Sequence, residues 1–189
     1  MRSRPALAAG ALLAAFLLTG AAPVPEPADP HDDLRRAVYA DVFAGGDGLA
    51  HLPAEFAAHV ASLRALRTSR PAAVPAPDVL VAAPEGTRAL RGAGSLLVHS
   101  PAGAPFTLDT TAVAGQALRG WWFDPRTGTA YDLGTVPRAA DVPFFPPVTG
   151  PADAGRDWVL VVDPVGVPLP PPGGTGDADP VPSPADPVG

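Results

Sequence analysis

The chain has 189 residues, a formal net charge of −6 and no cysteine. That excludes disulfides, thiolate nucleophiles and cysteine-based zinc sites. Every basic residue is Arg, and an acidic chain without a basic stripe is a poor match for nucleic acid or an anionic membrane.

Met1–Ala21 has the layout of a secretory signal peptide: Arg2 and Arg4, the apolar run Leu7–Leu18, then the small residues Thr19-Gly20-Ala21. Cleavage is expected after Ala21, since a cut after Ala22 would put Pro23 directly behind it. The rival reading is a membrane anchor, but the run falls short of the roughly 20 residues that span a bilayer. Leu18-Thr19-Gly20 resembles a lipoprotein signal, yet Ala21 stands where a lipid-bearing Cys would be. The mature chain is therefore expected to be secreted, without a stable membrane anchor. Its charge would be −8 (−6 − 2, losing Arg2 and Arg4). Export without disulfides is more typical of bacteria.

Residues 22–30 form a Pro-rich linker. A helical pair is expected over 31–71. Asp29 can cap a helix opening on Pro30, with Asp32 and Asp33 in its first turn. Leu34, Val38 and Val42 make its apolar stripe, and Gly45-Gly46-Asp47-Gly48 ends it. A second helix is expected from Pro53 to about Thr68, with Phe56, Val60, Leu63 and Leu66 on one face. Arg64, Arg67 and Arg70 are read as a solvated face, and the glycine-rich turn as a turn. Two helices this short need a surface to dock on.

From Asp78 to Asp163 the period changes to short strands divided by turn residues. Strands are expected near Val79–Ala82, Arg88–Arg91, Ser95–His99, Phe106–Asp109, Leu118–Phe123, Thr129–Leu133, Val142–Phe145 and Asp157–Val162. The fold class is mainly β: an antiparallel β-sandwich of about eight short strands preceded by two short helices. The signal, the linker and the Pro/Gly-rich tail 164–189 are expected to be disordered, with the tail burying almost nothing.

The hairpin around Gly120–Gly128 can be read residue by residue. Asp124 bonds the turn amides, Pro125 presets the turn, and Gly128 takes the left-handed conformation that closes a four-residue loop. Trp122 then faces Tyr131, Trp121 faces Asp132, and Gly120 faces Leu133. Alternation puts Leu118, Trp122, Tyr131 and Leu133 on a core face, and Arg119, Trp121, Phe123 and Asp132 on the other. Trp158, Leu160 and Val162 share a core face. Trp121 is the candidate ligand platform, able to stack on a sugar or a proline ring, with Arg119, Asp132 and Arg126 supplying hydrogen bonds. The alternative is that this face packs under the Phe56/Leu63 helix.

Ser95–Asp109, Trp121–Gly128 and Asp157–Asp163 resemble the family called the putative collagen-binding domain of a collagenase. The resemblance implies a C-terminal β-sandwich that usually follows an apiosidase-like TIM barrel of the glycoside-hydrolase kind. Leu34–Gly48 and His59–Pro71 resemble the last helix of that barrel and its connector. A barrel needs about 250 residues, and the units that would carry its hydrolytic carboxylates have no counterpart here. No catalytic residue is carried over.

The residues agree. His31, His51, His59 and His99 show no metal-ligand spacing, there is no phosphate loop with Lys, and no opposed carboxylate pair is evident. No metal or cofactor is implied. The expected function is a secreted, non-catalytic accessory module for extracellular polysaccharide or a fibrous protein such as collagen. The alternative is a structural or interaction remnant of a glycoside hydrolase, with no ligand of its own.

Overall fold

The computed structural model describes residues 30–71, 73–92, 94–147, 156–174 and 179–180. The expected signal peptide, almost all of the linker and parts of the tail lie outside them.

The helical layer comes first. Helix α1 spans Pro30–Phe43, and α2 spans Ala61–Ser69 after a 3-10 segment over Ala54–Val60. The single helix expected from Pro53 is therefore split. Its N-cap Pro53 makes no side-chain cap bond, and Val60 leaves helical geometry at φ −118° and ψ 10°.

Ten strands follow among the described residues: β1 (Val74–Pro75), β2 (Leu80–Ala82), β3 (Arg88–Arg91), β4 (Leu96–Ser100), β5 (Phe106–Leu108), β6 (Leu118–Phe123), β7 (Ala130–Val136), β8 (Val142–Phe144), β9 (Trp158–Pro164) and β10 (Asp179–Pro180). Eight of them fall where the period changes predict strands; β1 and β10 are two-residue additions. The larger sheet has the order β1-β3-β4-β9-β6-β7-β10 and the smaller one β2-β5-β8. All pairings are antiparallel except the short β10–β7 contact.

The larger sheet is buried on both faces, which makes three layers. Leu96, Val98, Leu118, Trp122, Trp158, Leu160 and Val162 point inward against Phe106, Leu108, Val142 and Phe144 of the smaller sheet. On the other face, Leu90, Leu97, Trp121, Phe123, Val159 and Val161 pack with Val38, Tyr39, Val42, Phe43, Leu63 and Leu66 of the helices. Strand β9 sits between β4 and β6 and is buried throughout. Its near-continuous apolar run is what a strand covered on both sides requires.

The hairpin forms as its turn residues dictate. Gly128 adopts φ +76°, its N–H donates to the Asp124 carbonyl, and Asp124 Oδ1 accepts from the Arg126 N–H at 2.8 Å. Trp122 opposes Tyr131 and Trp121 opposes Asp132, but Gly120 opposes Gly134 rather than Leu133. A bulge accounts for the shift: Gly134 takes φ +75° and its N–H donates to Asp132 Oδ1. Leu133, expected in the core, is consequently turned outward and is 36% exposed.

The tail needs a partial correction. The Pro170 carbonyl accepts from Arg70, Pro172 is buried, and the Gly173 N–H donates to Ser69 Oγ. Residues 170–173 thus pack on the end of α2 instead of trailing free.

Candidate functional site

The four candidate ligand residues do not form one open site. Trp121 is only 5% exposed and belongs to the buried cluster that holds Leu63 and Leu66. Its strand position points it at the helices, whose apolar stripe packs on this face of the sheet. The expectation of an exposed platform is therefore replaced by a packed one.

Arg119 and Asp132 do accompany Trp121, at the rim of that layer. The Arg119 guanidinium lies 4.4 Å from the Trp121 ring centroid and is bonded at two points to Asp132, at 3.0 and 2.5 Å. The hydrogen bonds from Arg119 hold the Asp132 carboxyl below its usual range. Arg119 and Asp132 satisfy each other, while Trp121 Nε1 is buried without a hydrogen-bond partner. Arg126 sits apart from them. It is bonded at two points to Asp124, and it lies 5.2 Å from the ring centroid of Trp158, whose strand neighbours put it on the opposite face of the sheet.

Charge is concentrated elsewhere, on the helix-facing side of β9. Asp157, Val159, Val161 and Asp163 alternate toward the helices, so the apolar middle of the strand is flanked by a carboxylate at each end. Arg35 of α1 donates to Asp157 Oδ1 at 2.6 Å. His99 of β4, fully buried, has Nε2 3.6 Å from Asp157 Oδ2, and its ring lies against Tyr39 and Phe43. Burial pushes the Asp157 carboxyl upward, but His99 and Arg35 outweigh it and hold it at about 2. Burial also raises the Tyr39 hydroxyl well above its ordinary value.

At the other end of the strand, Arg70 forks onto both oxygens of Asp163, at 2.9 and 2.6 Å, and Ser95 Oγ donates to Oδ1 at 2.6 Å. The sequence predicts Arg70 on a solvated face with Arg64 and Arg67, but as the residue that caps the end of α2 it is buried against Asp163. The two buried ion pairs fasten the helices to the sandwich. The even spacing of Asp157 and Asp163 on an apolar strand was the available signal, since it places both on one face.

Both carboxylates are paired with arginines, and among the described residues no cluster of His, Asp and Glu is arranged to hold a metal.

The face left open is the outer side of the smaller sheet. Val81 is 54% exposed and Phe145 68%. Beside them, Pro84, Pro105, Thr107 and Pro143 help to line a shallow groove of about 480 Å³ that contains no charged residue.

Comparison with known proteins places these features. Residues 74–163 match the family model described as "Putative collagen-binding domain of a collagenase". A solved glycoside hydrolase of family 5 from Bacteroides vulgatus is similar over 80% of this chain and 39% of its own, with a TM-score of 0.64 and 22% identity. A second structure, titled a glycoside hydrolase, is similar over 55% of this chain and 24% of its own, with a TM-score of 0.49 and 23% identity. The chain thus spans well under half the length of either, and at these identities the first likeness is one of fold. No curated protein matches.

Proposed function

We propose, from the match of residues 74–163 to the family model described above, that this protein is an exported, non-catalytic accessory module that attaches to extracellular polymer, either a fibrous protein or a polysaccharide. The observation that carries this reading is the uncharged groove on the outer face of the smaller sheet. Helices cover the opposite side of the sandwich, whereas Phe145, Val81 and the neighbouring prolines remain open. Flat apolar area of this kind suits stacking on a proline ring or a sugar face at small entropic cost. The non-catalytic part is supported by Asp124, Asp157 and Asp163, the buried carboxylates among the described residues, each of which is neutralised by an arginine.

Retention of the purified chain on insoluble collagen, cellulose, xylan and pectin tests the reading. At least one matrix should retain it, and Phe145→Ser should lose retention with an unchanged melting temperature. Equal retention of that variant would remove the groove from the proposal. Release of sugar from plant polysaccharide or of peptide from gelatin, persisting through repurification, would overturn the non-catalytic reading. Export predicts secreted material beginning at Ala22.

A second reading is a structural module without a ligand. The two buried ion pairs that fix the helices to the sheet favour it, because they make a rigid unit suited to holding neighbours apart. Failure of every matrix to retain the chain would select it.

A further inference from the structure

On the helical layer, away from the groove, a cavity of about 350 Å³ lies between the Gly45–Gly46 turn and α2, and Arg64 and Arg67 both line it. Their spacing of three residues puts them on one side of the helix. Neither makes an ion pair among the described residues, in contrast to Arg35, Arg70, Arg91, Arg119 and Arg126, which are all matched to aspartates. Arg64 Nη2 donates to the Leu49 carbonyl at 3.0 Å, which holds its guanidinium at the cavity wall. Arg67 Nη2 reaches the Ala73 carbonyl only at 3.5 Å, and Arg67 Nη1 is buried with no hydrogen-bond partner. A buried guanidinium nitrogen without an acceptor carries an uncompensated desolvation cost, which an anionic ligand would relieve.

We propose that this cavity binds a small organic monoanion through its carboxylate, of the size of a single sugar acid. Asp47 is the other charged residue of the lining, and its carboxylate is engaged by His51 at 3.0 Å. The lining therefore carries a formal charge of +1 (two Arg less one Asp). That balance matches one negative charge and disfavours a dianion. Val42, Leu49 and Ala73 give the wall apolar area for the carbon skeleton. The planar fork of a guanidinium suits the two oxygens of a carboxylate.

Titration of the full chain with galacturonate, galactose and inorganic phosphate, followed by calorimetry, tests the assignment. Galacturonate should bind saturably and more weakly as salt rises, while galactose should show no measurable affinity. Arg67→Gln should weaken galacturonate binding at least tenfold. Arg64→Gln, at an exposed position, should weaken it with the melting temperature unchanged, so that a folding defect in the first variant does not decide the matter. Absence of saturable binding, equal affinity for galactose, tighter binding of phosphate, or unaltered affinity in the Arg64 variant would each overturn the proposal. Phe145 has no part in this cavity, so Phe145→Ser should bind galacturonate like the parent chain, and that variant keeps this outcome separate from the groove's retention on insoluble polymer.

Discussion

Arg70 and Asp163 meet through two parallel hydrogen bonds, Nε to Oδ1 at 2.9 Å and Nη2 to Oδ2 at 2.6 Å, across a separation of 93 residues. The pair joins the end of α2 to the end of the central strand. With its partner at the opposite end, Arg35 and Asp157, it decides how the helical layer sits on the sheet.

Removing one member of such a pair is expected to be costly. Arg70→Ala leaves the Asp163 carboxylate buried with Ser95 as its remaining side-chain donor, and should cost about 3–5 kcal/mol. The Arg119–Asp132 pair has similar two-point geometry but is solvent-exposed, so Arg119→Ala should cost less than about 1 kcal/mol. Urea unfolding of the two variants gives the comparison directly. Equal costs would show that burial does not set the strength of these pairs.

The Asp157 carboxyl gives a pH dependence with a definite sign. Its folded value of about 2 lies below the ordinary 3.8, so its contribution is complete above the unfolded value and is lost as pH falls through the folded one. The groups facing it are Arg35, Arg36, His99 and Tyr39. Stability should therefore decline between about pH 4 and pH 2, by about 2 kcal/mol from this group. Asp157→Asn should be less stable at neutral pH and lose less on acidification. An acid limb of the same depth in that variant would place the titration on another carboxylate.

Trp121 and Trp158 lie on opposite faces of the larger sheet, and both are buried. Trp158 stands among Trp122, Tyr131 and the Arg126 guanidinium, and Trp158→Ala should cost about 3–5 kcal/mol. Trp121→Ala should also lower the melting temperature, but by loosening the helices from the sheet. Limited proteolysis should then cut within residues 44–60 in the Trp121 variant earlier than in the Trp158 variant, relative to global unfolding. A Trp121 variant with unchanged stability and helices still protected would mean that this face is open after all.

The same residues show what a sequence reveals and what it conceals. Alternation on β9 is enough to assign Trp158, Leu160 and Val162 to a core, because a period of two is a local property. The hairpin turn is legible for the same reason: Asp124, Pro125 and Gly128 act on their immediate neighbours. The platform role expected for Trp121 fails because alternation tells which face a side chain takes, not what covers that face. Arg70 fails likewise. A charged residue near the end of an amphipathic helix reads as solvated unless its partner, here 93 residues away, is already known. Leu133 is displaced by a bulge that depends on Gly134 adopting φ +75°, a choice that glycine permits but does not require.

The segment after β9 supplies the last prediction. Composition alone gives it no reason to bury anything, yet Arg70 Nη2 donates to the Pro170 carbonyl at 2.9 Å and Gly173 lies against the Phe123 ring. A hydrogen bond to a charged donor is worth about 1.5–3 kcal/mol, less the entropy of ordering the chain that makes it. Deleting 165–189 should consequently destabilise the domain by about 1–2 kcal/mol. Gly173→Ala isolates the contact within the full chain. Gly173 adopts φ +77°, and a Cβ there would come within 2.4 Å of Phe123 Cε2, so the segment has to lift away from the ring. The substitution should lose most of what truncation loses, and amide exchange should quicken at 169–174 while the β9 amides stay protected. If truncation leaves the unfolding midpoint where it was, residues 170–173 rest on the domain without stabilising it, and the Arg70–Asp163 pair is sufficient to fix the end of α2.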